Sequence, residues 1–182
     1  MDWEFMILNY IQNHIRNHFL DKAMPLISLL GAAGALWIII CIAALLIKRH
    51  RRLGRLLACD LAVNLIACNL IIKPIVNRIR PYEMNQTIQL IVSPEIDPSF
   101  PSGHTFFAFG AATVCFIYNK KLGLAMYAAA FLIAFSRLYL YIHFPTDVFF
   151  GAVLGTAMAF AAAKFEEMIF EQKPKKPDEK DK

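Results

Sequence analysis

Leu26 to Ile47 reads LISLLGAAGALWIIICIAALLI, and Lys48-Arg49-His50-Arg51-Arg52 follows at once. An uncharged run of that length, wound as a helix at about 1.5 Å per residue, matches the roughly 30 Å hydrocarbon core of a bilayer. The basic cluster behind it stops the segment at a membrane surface. The whole chain agrees: of its 182 residues, 58% are hydrophobic and 18% charged, against roughly 45–50% and about 25% in soluble domains. The class is therefore integral membrane.

Four further apolar runs follow. Residues 56–77 form a second span, interrupted by Asp60, Asn64 and Asn69, and a polar loop with Pro81, Pro94 and Pro98 covers 78–101. Residues 102–118, 122–141 and 146–166 give the third, fourth and fifth spans, with Phe144-Pro145 as the break before the last. Residues 3–20 place Phe5, Leu8, Ile11, Ile15 and Phe19 on one helical face and polar residues elsewhere. That pattern suits a helix lying in the membrane surface, with a sixth span as the alternative. The expected fold is thus all-α, a polytopic transmembrane bundle. Its parts are an interfacial helix over 1–22, a transmembrane domain over 23–168 and a disordered basic tail over 169–182. Cys41, Cys59, Cys68 and Cys115 lie in or beside apolar runs without metal-ligand spacing and read as small buried residues.

Charge gives the orientation. The net charge of +5 sits in short loops and the tail, which marks topology rather than nucleic-acid binding. Counting spans puts loop 48–55, Lys120-Lys121 and the tail on one side, which the positive-inside rule makes cytoplasmic. Loops 78–101 and 142–146 then face outward from the cell membrane.

Three clusters reach that outer face: Lys73 with Arg80-Pro81, Pro101-Ser102-Gly103-His104, and Ser136-Arg137 with His143 and Asp147. Asp147, four residues after His143, can fix the imidazole tautomer and free the other ring nitrogen to attack. Ser102 is a candidate N-cap, Gly103 allows close approach to the backbone, and the helix start beyond is an anion site. Charges as deep as Lys73 and Arg137 are costly without partners. They bind a phosphoryl group, or else Lys73 snorkels to the interface and the arginines form salt bridges, for which Glu83, Glu95 and Asp97 are available.

In order and spacing, Lys73-x6-Arg80-Pro81, Pro101-Ser102-Gly103-His104 and Ser136-Arg137-x5-His143-x3-Asp147 resemble the tripartite signature of the type-2 phosphatidic acid phosphatase superfamily. That superfamily also includes glucose-6-phosphatase and the vanadium-dependent haloperoxidases. The resemblance implies a phosphohistidine on His143 held by Asp147, with His104 protonating the leaving oxygen and then activating water. It implies that Lys73, Arg80, Ser102, Gly103 and Arg137 bind the phosphoryl oxygens. Three fixed cations and a helix N-terminus can stabilise phosphoryl transfer without a metal or other cofactor. His143 must be neutral while His104 is protonated, which implies a bell-shaped pH profile.

A site at the lipid–water boundary points to a lipid phosphate or pyrophosphate. The resemblance to small bacterial members favours undecaprenyl pyrophosphate, with phosphatidylglycerol phosphate and phosphatidic acid as alternatives. A lipid transporter or scramblase is the reading from another class, with Asp60, Asn64 and Asn69 as a polar path. Interhelical hydrogen bonding is the simpler account of those three, and close helix packing that of Gly151-x3-Gly155. A zinc site at His104, His143 and Asp147 is disfavoured, because the neighbouring cations would repel a metal.

Overall fold

The computed structural model describes residues 2–31 and 34–170. The tail expected to be disordered lies, from Glu171 onward, outside the described residues. The chain runs through α1 (Asp2–Tyr10), a π-helical turn (Ile11–Ile15), α2 (His18–Leu30) and α3 (Ala35–Leu46). After a short 3₁₀ turn come α4 (Arg51–Asn64), a π-helical stretch (Leu65–Ile72), α5 (Lys73–Val76) and α6 (Pro81–Met84). Then follow α7 (Gly103–Tyr118), α8 (Lys120–Tyr139) and α9 (Pro145–Phe170), with no strand among the described residues. The stretches Lys48–Met84, Lys120–Tyr139 and Pro145–Phe170 are long and apolar enough to cross a membrane, and Leu36–Leu46 and Gly103–Tyr118 are shorter apolar helices.

Polarity is arranged for lipid. Leu29, Ile39, Leu46, Leu70, Ile75, Leu124, Phe131 and Phe160 are exposed, while Lys73, Arg80, Arg137, His143, Asp147 and Glu166 are buried. An apolar exterior around a polar interior is what a bilayer selects.

Helix α7 is the central post, packed mainly on α8 and α9 and also on α4. Every residue from Thr105 to Cys115 is buried, so the helix has no solvent face. Helix α9 comes close to it because Gly151 and Gly155 carry no side chain. A Cβ at Gly155 would stand 2.2 Å from the Phe106 carbonyl oxygen, and one at Gly151 2.9 Å from that of Ser102. The packing role expected for this glycine pair is the one observed. Asp60 and Asn64, by contrast, make no interhelical hydrogen bond. Their side-chain atoms are buried without partners among the described residues and crowd the space beside Gly110 on α7.

Two segments differ from the sequence expectation. The run 26–47 is not one helix. Pro25 lies inside α2, Gly31 ends that helix, and Gly34, at φ +71°, caps α3. Only glycine adopts that conformation freely. The break has a use, because a Cβ at Gly31 would lie 3.1 Å from His104 Cδ2. The amphipathic stretch 3–20 is also broken. Asn17 caps α2 by accepting from the Leu20 N–H at 3.0 Å. The common face ends there: Leu8 and Ile11 are buried, but Phe19 is 76% exposed. Residues 22 and 23, taken as a domain boundary, both lie within α2.

At the far end of α7, His50 meets the Tyr118 hydroxyl at 2.9 Å and Arg55 pairs with Glu166 at 2.7 Å. The basic loop and the end of α9 therefore gather at the end opposite Gly103.

Gly155→Ala is expected to destabilise the protein by about 1–3 kcal/mol, because backbone on both sides cannot yield. A lowered thermal unfolding midpoint in detergent checks this, with Gly110→Ala, which faces side chains instead, the milder comparison.

Candidate active site

Loop 85–100 and the 140–144 turn meet over the start of α7. The π-helical stretch ends at Lys73, and Asn77, at φ +44°, stops α5. Arg80 then enters the bundle in extended conformation. Its guanidinium donates to the Asp97 carbonyl (2.8 Å), to Asp97 Oδ1 (2.8 Å) and to the Ile142 carbonyl (3.0 Å), and pairs with Glu95 Oε2 at 2.8 Å. Lys73 is ion-paired with Asp97. Arg137, at the end of α8, is ion-paired with Glu95 and donates to the Ser28 hydroxyl. Its Nε is buried with no partner among the described residues, which leaves it a spare donor.

Two carboxylates of one loop thus satisfy three deep cations. Burial alone would raise Glu95, but the guanidiniums of Arg137 and Arg80 overcome it and hold the carboxyl at about 2. Asp97 is likewise lowered, since Lys73 and Arg80 outweigh its desolvation. Both stay ionised across the working pH range.

His143 sits on a turn whose backbone is strained two residues earlier, at Tyr141 with φ +61°. Tyr141 is fully buried and packs with Leu8 and Phe144, which holds the turn. Nδ1 of His143 lies 3.4 Å from the Ser99 hydroxyl and 3.6 Å from Asp147 Oδ2. Nε2 points the other way, 3.4 Å from an Arg80 nitrogen and 3.9 Å from Glu95 Oε2. Asp147 accepts three hydrogen bonds: Oδ2 from Ser99 Oγ at 2.5 Å and the Phe144 N–H at 2.9 Å, and Oδ1 from Arg78 at 2.5 Å.

The first intrahelical bond of α7 runs from the Phe106 N–H to the Ser102 carbonyl at 2.9 Å. The preceding N–H groups of Gly103, His104 and Thr105 are the free donors of a helix start. Gly103 lies beside the Lys73 amine, which a Cβ there would touch at 3.7 Å. A cavity of about 230 Å³ opens here, lined by Lys73, Gly103, His104, Glu95, Asp97, Asn69, Phe107 and the two glycines of the α2–α3 break. Ser102 occupies the N-cap position, but its side chain makes no cap bond. Its hydroxyl accepts from Thr105 at 3.0 Å, and its N–H donates to the Asp147 carbonyl at 3.0 Å.

Of the residues singled out in sequence, Lys73, Arg80, Arg137, His143 and Asp147 are thus joined through Glu95, Asp97 and Ser99. Gly103 and His104 line the adjoining cavity, and Ser102 ties α7 to α9. The salt-bridge partners considered from sequence are real for Glu95 and Asp97. Ser99 and Arg78 were missed. Arg78 sits inside the six-residue spacer between Lys73 and Arg80, and Ser99 lies in a proline-rich loop where spacing carries no signal.

Residues 52–171 match the family model described as the PAP2 superfamily. This chain belongs to that superfamily. It is 28% identical over 163 residues to an undecaprenyl-diphosphatase of Sulfolobus acidocaldarius, covering 89% of this chain and 76% of that protein. It is 35% identical over 80 residues to the bacitracin transport permease protein BcrC of Bacillus licheniformis, covering 44% of this chain and only 39% of that protein. The crystal structure of the transmembrane PAP2-type phosphatidylglycerolphosphate phosphatase of Bacillus subtilis superposes with a TM-score of 0.74 at 25% identity, covering 94% of this chain and 88% of that one. With its long apolar helices, the chain is a membrane member of that superfamily.

Burial, together with Arg137 and Arg80, holds His143 well below its ordinary value of 6.5. A lowered value keeps the ring neutral until pH drops far into the acid range. The acid limb of kcat/KM for phosphate release, which reports the free enzyme, is therefore expected on the acid side of pH 6.5.

Proposed function

We propose that this protein removes the terminal phosphate from a membrane lipid phosphate or pyrophosphate, with undecaprenyl pyrophosphate favoured, through a phosphohistidine on His143. The observation that carries the reading is the place of Glu95. One carboxylate oxygen lies 3.9 Å from His143 Nε2 while Arg80 and Arg137 hold the group. An anionic oxygen already stands where a phosphoryl oxygen would have to stand. Substrate binding exchanges these carboxylates for phosphoryl oxygens on Lys73, Arg80 and Arg137 and on the α7 N–H groups.

In the first step Nε2 of His143 forms a bond to phosphorus as the bond to the leaving oxygen breaks. His104 gives that oxygen a proton, and the lipid leaves as alcohol or monophosphate. In the second step water attacks phosphorus and loses its proton to His104, and the P–N bond breaks to release inorganic phosphate. Asp147 holds Nδ1 throughout, so that Nε2 presents its lone pair. Positioning and fixed positive charge supply most of the rate enhancement.

Lipid specificity is supported by a second cavity of about 360 Å³, lined by Ile38, Leu61, Ala62, Leu65, Asn69 and Phe107. It shares Asn69 and Phe107 with the catalytic cavity. An apolar chain held there would bring its phosphate to His104. The basic loops at the other end of the bundle support placing the site on the extracytoplasmic side, with the C-terminus cytoplasmic. The transport reading takes its support from the similarity to the bacitracin transport permease protein BcrC of Bacillus licheniformis.

Purified protein in detergent, given a panel of lipid phosphates and pyrophosphates in EDTA, is expected to release phosphate fastest from the polyprenyl pyrophosphate. His143→Ala is expected to abolish release from every member. Release that survives this substitution excludes the phosphohistidine, and lipid translocation that survives it favours the transporter. Leu65→Trp, which fills the groove, is expected to raise KM for the long-chain lipid about tenfold or more. Its KM for a short water-soluble phosphate ester is expected to stay near wild type, and equal rises for both would place the chain elsewhere.

A further inference from the structure

The N-terminal helix reaches the catalytic centre. Arg78 NH1 donates to Asp147 Oδ1 at 2.5 Å and to the Thr146 hydroxyl at 2.6 Å, while NH2 pairs with Glu4 Oε2 at 2.7 Å. Glu4 Oε1 in turn accepts from the Thr146 hydroxyl at 2.5 Å and the Thr146 N–H at 3.4 Å. The guanidinium also lies over the Phe144 ring, 4.1 Å from its centroid. Glu4, though on a helix that reads as surface-lying, is 4% exposed. Helix α1 is seated by Leu8 against Tyr141 and Phe144, by Phe5 edge-on to Phe144 at 5.4 Å, and by the Tyr141 hydroxyl donating to Asn9 at 2.9 Å.

We propose that Arg78 and Glu4 are positioning residues that together set how strongly Asp147 acts on His143. The inference rests on His143 being the nucleophile. A guanidinium bonded to Oδ1 draws on the charge that Asp147 offers the imidazole through Oδ2. With Arg78 alone, much of that charge is cancelled. Glu4, on the other fork of the same guanidinium, offsets the cation and returns charge to Asp147. Two carboxylates and one arginine thus form a chain, Glu4–Arg78–Asp147–His143, whose far end lies on α1. A clamp that merely fixed α1 in place would need neither the fork nor a buried carboxylate, since Leu8 and Phe5 already seat the helix. Thr146 keys the chain by donating to Glu4 and accepting from Arg78, which fixes both distances at once.

The test is the pH profile of kcat/KM for phosphate release by the full chain, in wild type, Glu4→Gln, Arg78→Met and Arg78→Lys. His143 also faces Arg80, Arg137 on α8, and Glu95 and Ser99 from the loop, and these stay constant across the set. Arg78→Met leaves Glu4 uncompensated, so His143 gains a proton more readily and the acid limb moves up in pH. Glu4→Gln leaves Arg78 uncompensated, so the limb moves down. Each shift is expected to be on the order of half a pH unit or more, and Arg78→Lys is expected to return the limb toward wild type.

Opposite shifts with charge rescue establish the chain. Limbs at the wild-type position, or moving together, overturn it whatever the fall in kcat, and leave Arg78 and Glu4 as a structural clamp. Should Arg78→Met fail to fold, Glu4→Gln decides alone, and an unmoved limb overturns the proposal. An active His143→Ala would instead sink the nucleophile assignment, so the two failures are distinguishable.

Discussion

Positive charge buried in an apolar bundle must be met by negative charge, and the catalytic end of this protein is the solution to that constraint. Lys73, Arg80 and Arg137 lie in the interior and Arg78 is half-buried beside them. Stripping such ions of water costs several kcal/mol each even after relaxation. Asp97, Glu95, Asp147 and Glu4 answer them through direct ion pairs. Every carboxylate reaches its cation from a different part of the chain, from α1, from loop 85–100 or from the start of α9. The pairings therefore act as tertiary ties that draw these segments over the mouth of α7. With His143 held neutral, four positive and four negative side chains balance, and the resting site carries no net charge from these groups.

The backbone makes room for that arrangement by omitting side chains. Gly151 and Gly155 let α9 lie against the first turns of α7, which puts Asp147, at the opposite end of the same first turns, next to Ser102 and Ser99. Gly31 and Gly34 break what would have been one long span and leave space beside His104 and Phe107. These are packing devices at the helix–helix contacts, and they leave the α7 N-terminus and His104 beside a cavity. A helix start that opens on a cavity in this way presents its free N–H groups to a ligand and favours an anionic one.

Much of this was legible in sequence because the chemistry is carried by rare residues at membrane depth. An ionisable side chain inside an apolar run has few explanations, so Lys73, Arg137, His143 and Asp147 stood out. The third, fourth and fifth spans were legible because uninterrupted apolar runs end at Phe144-Pro145 and at the Asn119-Lys120-Lys121 turn. The α2–α3 break was not, since Gly31 and Gly34 lie among residues as apolar as those of a continuous helix. Hydropathy measures transfer to lipid and is blind to backbone conformation. Ser99 and Arg78 were hidden for another reason. Each acts through contacts across the fold, 48 and 69 positions from Asp147, and no local pattern encodes such a distance. Phe19 misled because helical periodicity continues in sequence past Asn17, where the helix itself stops.

In the proposed reaction, the pairing of Lys73, Arg80 and Arg137 with Glu95 and Asp97 bears on how the site can turn over. Three bare cations in low dielectric would hold any phosphate so tightly that product could not leave. Tethered carboxylates lower that affinity, because an incoming anion gains only the difference between its own contacts and those it displaces. The exchange favours a group with more charge and more oxygens than a carboxylate. A phosphoryl group supplies both, and during transfer it spreads charge over three equatorial oxygens that Lys73, Arg80 and Arg137 can each engage. The unpartnered Nε of Arg137 is the donor a carboxylate leaves unused and a third oxygen can take. Once the bond to phosphorus is cut and inorganic phosphate remains, Glu95 and Asp97 stand at the edge of the pocket as permanent competitors. The same ion pairs that let the cations exist in the bundle therefore keep them from becoming a phosphate trap.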